Sequence, residues 1–379
     1  MERQADWRQE KAQALARARV VVIKVGSAVL TDAQGLSTPV LESLARQMAA
    51  LRTAPDGHER RLVLVSSGAV AAGRAVLRAH GHSGETSGLS ARQAAAAVGQ
   101  GQLMRAWDEV FRAYDFPTSQ VLLTRDDLRA RQRFLNARNT FAELMDWGVL
   151  PIVNENDTIS VTELMFTDND ELSGLVAAMM GAEALVILSN IDGIYDGSPS
   201  DPASQVIRRV APGRDLSQYI DTARSSRGRG GMTTKSRISS RAAGEGIEVV
   251  IANGRRDNIL TDLILTDRDV VCTRFEAAPR PASGVKKWIA SSEGFAKGAL
   301  HLDAGAAAAV SQSKAASILA VGVTAVEGDF ERDDIVRILS PEGAPLGVGR
   351  ISCDSATARR NLGRKGLKPL IHCDYLYLE

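Results

Sequence analysis

Cysteine is scarce. Cys272, Cys353 and Cys373 are the three thiols in 379 residues. So few, and so far apart, they make neither a disulfide framework nor a paired zinc motif, and they suit a reducing cytoplasm. An excess of one charge is also missing: 46 Lys+Arg against 45 Asp+Glu leaves a net charge of +1. That balance gives no reason for attraction to nucleic acid or membrane. Long hydrophobic runs are absent, and the longest charge-free apolar stretch, Leu172 to Ala182, is too short to span a bilayer. Residues 1–19 are rich in Arg and Gln and lack the apolar core of a signal peptide, so they read as a solvated helix. The five histidines (His58, His80, His82, His301 and His372) lie away from every cluster described below. Neither a histidine base nor a Ser-His-Asp arrangement is suggested. No GxGxxG opens the first βα unit and no GxxxxGK[ST] occurs. A Rossmann dehydrogenase and a Walker A loop are thereby disfavoured.

What is present is an ordinary globular composition, 44% hydrophobic and 24% charged, at a length that suggests two domains. Through about residue 270, short β-branched runs alternate with helical patterns. The runs are VVVIKVG (20–26), RLVLVSSG (61–68), VLPIVNEND (149–157), ALVILSNIDG (184–193) and IEVVIANG (247–254). Their nearly continuous apolar content is that of strands buried on both faces. Helical periodicity covers 39–51, 131–147 and 170–181. The alternation predicts an α/β fold, an open αβα sandwich with a mainly parallel sheet. From 275 to 283 two prolines and alanine runs read as a linker. Short strands and glycines then predict a small β-rich, barrel-like domain over 284–379, leaving 1–274 as the catalytic domain.

Each β-branched run ends in small or polar residues, and ligands of open α/β sheets sit at the carboxyl ends of the strands. Four such places can carry chemistry. Lys24 lies inside an apolar run just before Gly26. It is either a phosphate-binding lysine or a strand-end lysine reaching for solvent. In VSSGAVAAG (65–73), Ser66 and Ser67 precede a helix start, as anion donors or as a plain cap. VNENDT (153–158) and FTDNDE (166–171) crowd Asn154, Glu155, Asn156, Asp157, Asp168, Asn169, Asp170 and Glu171 together. Helix capping accounts for one or two of these residues but not for both clusters. RGRGGMTTKSRI (227–238) is a glycine-rich loop with Lys235 in the first turn of the following helix, where the helix dipole opposes a cation unless an anion lies between them. Two lysines, glycine loops and acidic and amide clusters suit a nucleoside triphosphate, a small zwitterionic acceptor and Mg²⁺. A carboxylate acceptor is already ionised at neutral pH and needs no general base.

VVIKVGSAVLT, VSSGAVAAG, LLTRDD, RFLNARNT, PIVNENDTIS, FTDNDELSGLVA and GRGGMTTK, in this order and spacing, resemble the glutamate 5-kinases of the amino acid kinase superfamily. From about Ser283 onward, KKWIA (286–290), LDAGAAAAV (302–310) and VGVTAVEGDFERDDIVRI (321–338) resemble a PUA domain. The resemblance implies that ATP, with Mg²⁺, phosphorylates the γ-carboxylate of L-glutamate in the first step of proline biosynthesis. It implies that Lys24 and Lys235 neutralise the transferring phosphoryl group, that Asp170 orients both, and that Asp168 assists. It assigns Ser67, Asn154, Asp157 and Asn169 to glutamate. It assigns Lys24, Gly26, Ser189, Asn190, Arg229, Gly230, Gly231, Met232, Thr233, Thr234 and Lys235 to the nucleotide. No protein metal ligand is assigned. A dimer or tetramer, coupling to glutamyl phosphate reductase and feedback by proline are implied on the same basis. Three positions depart from the family pattern: Ser189-Asn190 stands where Thr-Asp is common, Arg229 where Thr is common, and Asn139 where Asp is common.

Residues 280–379 hold 13 Lys+Arg and 11 Asp+Glu, a net of 13 − 11 = +2. Arg359, Arg360, Arg364, Lys365 and Lys368 form their basic cluster. RNA-binding domains are usually far more basic, so this cluster reads as a solvated helix face. Another carboxylate kinase of the superfamily, or an RNA-binding protein, are the competing readings.

Overall fold

The computed structural model describes residues 14–54, 56–82, 88–129, 131–160, 169–198, 201–216, 219, 232–279, 296–312 and 317–378. The chain divides into two compact units, Met1–Pro281 and Ala282–Glu379.

The first unit is built on one sheet. Its strands are β1 (Val20–Val25), β2 (Arg61–Ser66), β3 (Thr118–Leu123), β4 (Leu150–Glu155), β5 (Ala184–Ser189), β6 (Arg209–Val210), β7 (Glu248–Asn253) and β8 (Cys272–Phe275). Their order is β3-β4-β2-β1-β5-β7-β8-β6. Every pairing is parallel except β7 with β8. The helices are α1 (Ser27–Leu30), α2 (Thr38–Leu51), α3 (Ala69–Ala79), α4 (Leu89–Arg112), α5 (Arg125–Arg129), α6 (Arg131–Asp146), α7 (Asn169–Met180), α8 (Met232–Gly244) and α9 (Ile259–Ile264). The parallel βαβ pattern predicted from the apolar runs is present.

β1 shows why these residues form a central strand. Apart from Lys24 it is entirely β-branched, and Val21, Val22, Ile23 and Val25 are buried on both faces. Each such side chain taken out of water contributes about 1.5–3 kcal/mol. Its register sets Lys24 beside Val65 of β2 and Ile187 of β5. The chain leaves β1 for β2 on one side and returns as β5 on the other. The carboxyl edge at β1 is therefore a topological switch point, where such sheets open a crevice.

Three elements were not legible as runs. β3 reads TSQVLL and is mostly half-exposed at the sheet's edge, so it lacks a continuous apolar signal. β6 has only two residues, and β8 ends at Phe275, inside the stretch read as linker. The N-terminal reading also needs correction where it can be seen: residues 14–17 are helical and Leu15 is fully buried in the core. The remainder of that segment, residues 1–13, lies outside the described residues.

Helices α3 and α4 meet backbone to backbone. A Cβ on Gly73 would stand 1.8 Å from the Ala95 carbonyl oxygen, and one on Gly99 would stand 1.8 Å from that of Ala69. Only glycine permits this approach. It holds α4 close against the start of α3, immediately after the end of β2.

The second unit has β9 (Gly298–Leu302), β10 (Val323–Gly328), β11 (Ile335–Leu339), β12 (Pro345–Arg350) and β13 (Leu376–Leu378), with α10 (Ala304–Gln312) and α11 (Ser355–Arg360). The sheet order is β10-β9-β11-β12-β13, with β9 and β11 parallel and the other pairs antiparallel. Leu300, Phe330, Val336, Ile338, Ile351 and Ile371 fill its core. Arg359 and Arg360 of the basic cluster fall in the last turn of α11, where cations suit the helix dipole. Arg359 is tied to Asp329 at 3.3 Å and to the Gly328 carbonyl at 2.5 Å.

Replacing Gly99 with alanine forces its Cβ into the Ala69 carbonyl. Gly99→Ala is expected to cost about 1–3 kcal/mol or more, measured by urea unfolding. Wild-type stability in that variant would show that α3 and α4 separate at little cost.

Candidate active site

The centre of the site is one carboxylate shared by two ammonium groups. Asp170, in the first turn of α7, is fully buried. One of its oxygens pairs with Lys24 Nζ, and the other lies 2.8 Å from Lys235 Nζ. Lys24 is 4% exposed and Lys235 9%. Lys24 arrives from the fifth position of a buried strand, Asp170 from a helix start after β4, and Lys235 from the first turn of α8. The residues are far apart in sequence and meet because β1 ends, and α7 and α8 begin, at the carboxyl edge. Of the two readings open for Lys24, the solvent-seeking one is excluded: its ammonium points to Asp170.

Gly26, two residues after Lys24, has an extended φ of −74°, which any residue adopts. A Cβ there would sit 3.6 Å from Lys24 Nζ. That is an ordinary van der Waals distance, so the glycine sits directly beside the ammonium group. Arg125, at the head of α5, pairs with Glu171 at 2.5 Å, bracing the first turn of α7 next to Asp170. The sequence had signalled Arg125 only as one letter of the LLTRDD motif.

Beside the charged centre lies a neutral amide network. Asn169 Nδ2 donates to Ser67 Oγ at 2.9 Å and to Asn154 Oδ1 at 3.0 Å. Asn154 Oδ1 also accepts the Glu155 backbone N–H at 2.9 Å, and Asn154 Nδ2 donates to Gln100 Oε1 at 2.9 Å. Ser67 follows β2 and leads into α3 through Gly68, whose φ of +113° is the left-handed conformation that favours glycine. Ser66 Oγ accepts from the Trp107 indole N–H at 2.9 Å, so Ser66 is committed to the core and Ser67 faces the network. Asp157 lies two residues past β4, half-buried in the turn. Three of the four predicted glutamate residues, Ser67, Asn154 and Asn169, are thus hydrogen-bonded together. Gln100 and Trp107 were missed by sequence reasoning, since an uncharged glutamine in an alanine-rich tract carries no chemical signal.

The other flank is formed by β5, β7 and α8. Ser189 is buried at the end of β5 and Asn190 is exposed. The Ser189 hydroxyl is 3.5 Å from Asn190 Oδ1. Asp192 accepts from Asn253 Nδ2 at 3.0 Å and from Arg256 Nε at 3.0 Å, joining the ends of β5 and β7. Burial, then the Asp192 charge, pushes the nearby Tyr195 hydroxyl above its ordinary pKa, against the Arg256 charge. Met232, Thr233 and Thr234 occupy the first turn of α8. Thr233, Ser236 and Arg237 line an open cavity of about 490 Å³ with Pro212, Leu216 and Phe275. Asp168, Arg229, Gly230 and Gly231 lie outside the described residues.

A mainly parallel sheet with two lysines drawn onto one carboxylate at its switch point is an arrangement suited to a kinase. Residues 19–253 match the Amino acid kinase family and residues 298–370 match the PUA domain. The chain is 52% identical to a glutamate 5-kinase of Bacteroides thetaiotaomicron over 95% of its own length and 98% of that protein's. It is 44% identical to a glutamate 5-kinase of Chlorobaculum tepidum, over 95% and 97% of the two chains. The chain belongs to the amino acid kinase family, within its glutamate 5-kinases.

Removing the shared carboxylate strands two buried cations. Asp170→Ala is expected to destabilise the first unit by about 3–5 kcal/mol, read from chemical unfolding. A loss below about 1 kcal/mol would mean that the lysines escape to solvent and that the pairing is superficial.

Proposed function

We propose that this chain transfers the γ-phosphoryl group of ATP to the γ-carboxylate of L-glutamate, giving L-glutamyl 5-phosphate and ADP, and so begins proline biosynthesis. The observation that carries this reading is the convergence of Lys24 and Lys235 on Asp170. Similarity to glutamate 5-kinases over nearly the whole chain supports the choice of acceptor.

In this reading the attacking atom is a carboxylate oxygen of glutamate. It bonds to the γ-phosphorus while the bond from that phosphorus to the β–γ bridging oxygen of ATP breaks. No proton moves, because the nucleophile is already an anion. Catalysis then consists of alignment and charge neutralisation. Lys24 and Lys235, oriented by Asp170, offset the charge that spreads over the phosphoryl oxygens. Asp168 assists in the same network. Ser67, Asn154 and Asn169 hold glutamate, with the Asp157 carboxylate facing its ammonium group. Gly26, Ser189, Asn190 and the segment Arg229 to Lys235 hold the nucleotide, and the cavity beside Thr233 takes its nucleoside end.

Mg²⁺ would be carried on the ATP phosphates and would neutralise their charge. Among the described residues no group of three or more His, Cys, Asp or Glu side chains forms a metal cage. A phosphate-borne Mg²⁺ is usually held by one or two carboxylates besides the nucleotide. The same reading extends to a cytoplasmic dimer or tetramer, inhibition by proline, and hand-over of the labile acyl phosphate to glutamyl phosphate reductase. No helix among the described residues is long and apolar enough to cross a membrane.

A coupled ADP assay with L-glutamate, L-aspartate and N-acetyl-L-glutamate is the direct test. Turnover is expected on glutamate well above the other two. Equal rates, or none on glutamate, would overturn the assignment. Lys235→Ala is expected to lower kcat by about 10²–10³ while circular dichroism and melting temperature stay near wild type, since Lys24 still pairs with Asp170. Near-wild-type kcat in that variant would remove Lys235 from the chemical step.

A further inference from the structure

Helix α4 turns one polar edge toward the ends of β2 and β4. Gln93, Gln100 and Trp107 are spaced by seven, which keeps them on one helical face. Gln93 Nε2 donates to the Ser160 carbonyl at 2.9 Å, and Trp107 Nε1 to Ser66 Oγ at 2.9 Å. Between them Gln100 Oε1 accepts from Asn154 Nδ2 at 2.9 Å. The contact of Gly99 with the Ala69 backbone fixes the height of Gln100, one residue further on.

The hydrogen bonds here have only one self-consistent direction. The Glu155 N–H can only donate, so Asn154 must present its oxygen to it. Asn154 Nδ2 then points at Gln100, and the partner there must accept. Asn154 Oδ1 receives Asn169 Nδ2, which also donates to Ser67 Oγ. Because Ser67 Oγ accepts within the network, its own hydrogen is available to an oxygen outside it. Gln100 Nε2 meanwhile is buried and has no hydrogen-bond partner. An unpaired buried donor is a defect that folds rarely keep. Methionine would fill the same space without that defect. Glutamate would accept equally well but would set an anion beside a site read as binding a dicarboxylate. The glutamine makes sense as a neutral acceptor for Asn154.

We propose that Gln100 is a positioning residue of the acceptor site. Its Oε1 fixes the Asn154 carboxamide, Asn154 fixes Asn169, and Asn169 leaves the Ser67 hydroxyl directed as a donor to a carboxylate oxygen of the acceptor. This rests on the acceptor reading given above.

The test compares full-length wild type, Gln100→Met, Asn154→Ala and the double variant. Each is assayed for acceptor and ATP KM, kcat and melting temperature. Glutamate is the acceptor, or whichever carboxylate the wild type phosphorylates. Gln100→Met is expected to raise the acceptor KM about fivefold to twentyfold. Its ATP KM should stay within about twofold and its melting temperature within about 5 °C of wild type. In the Asn154→Ala background the same change should add nothing, because the effect passes through Asn154. An unchanged acceptor KM, a parallel rise of both KM values with a lowered melting temperature, or additive effects in the double variant would each overturn the proposal. A wild type inactive on glutamate faults the functional reading instead, and the comparison with the acceptor it does use still decides the role of Gln100.

Discussion

Asp170 is the constraint on which the rest of the first unit depends. A fully buried carboxylate is tolerable only with cations beside it, and two buried ammonium groups are tolerable only with an anion between them. Each partner removes the desolvation problem of the others. The triad also fixes three separate pieces of chain. β1 must deliver Lys24 from within its buried run, α7 must start at the edge of β4, and α8 must place Lys235 in its first turn. The pairing of charges and the closing of the sheet's carboxyl edge are thus the same set of contacts.

Two kinds of electrostatics sit side by side at that edge. In the proposed reaction the charged triad would serve the phosphoryl group in flight. The neighbouring network of Ser67, Asn154, Asn169 and Gln100 is neutral, and its directions follow from one backbone N–H, that of Glu155. A neutral network suits an acceptor that brings its own charges of both signs, because it orients without pulling one end harder than the other. Preorganised dipoles of this kind need little rearrangement as charge shifts. Within the neutral half, the glycine contacts of α3 with α4 set how closely α4, which carries Gln100, lies against the start of α3.

Much of this could be read from the residues. Continuous apolar runs marked five of the six inner strands, all but β8, since burial on both faces leaves no polar alternation to confuse the period. The lysine inside β1 and the lysine against a helix dipole were anomalous where they stood, and a single carboxylate accounts for both. The parts that escaped notice did so for physical reasons. β3 is half-exposed and mixes Thr, Ser and Gln with apolar residues. α4 packs through glycine and alanine, so its buried face carries little hydrophobic signal, and its longest apolar anchors, Leu103, Trp107 and Phe111, come late. Gln100 is uncharged and sits in that same tract. Its importance lies in which of its two amide atoms faces Asn154, and a sequence holds no record of that.

Trp107 gives the molecule an optical label of its own. Its indole is fully buried, stacked 5.6 Å from the Phe111 ring, and hydrogen-bonded to the residue preceding Ser67. Trp147, by contrast, is 67% exposed. Indole emission depends on the polarity and hydrogen bonding around the ring, so the buried Trp107, bonded to Ser66, emits toward the blue end of the spectrum while Trp147 emits to the red in water. A shift of the chain at Ser66 and Ser67 would therefore register in the Trp107 emission, over the signals of Trp7, Trp147 and Trp288, without any added dye.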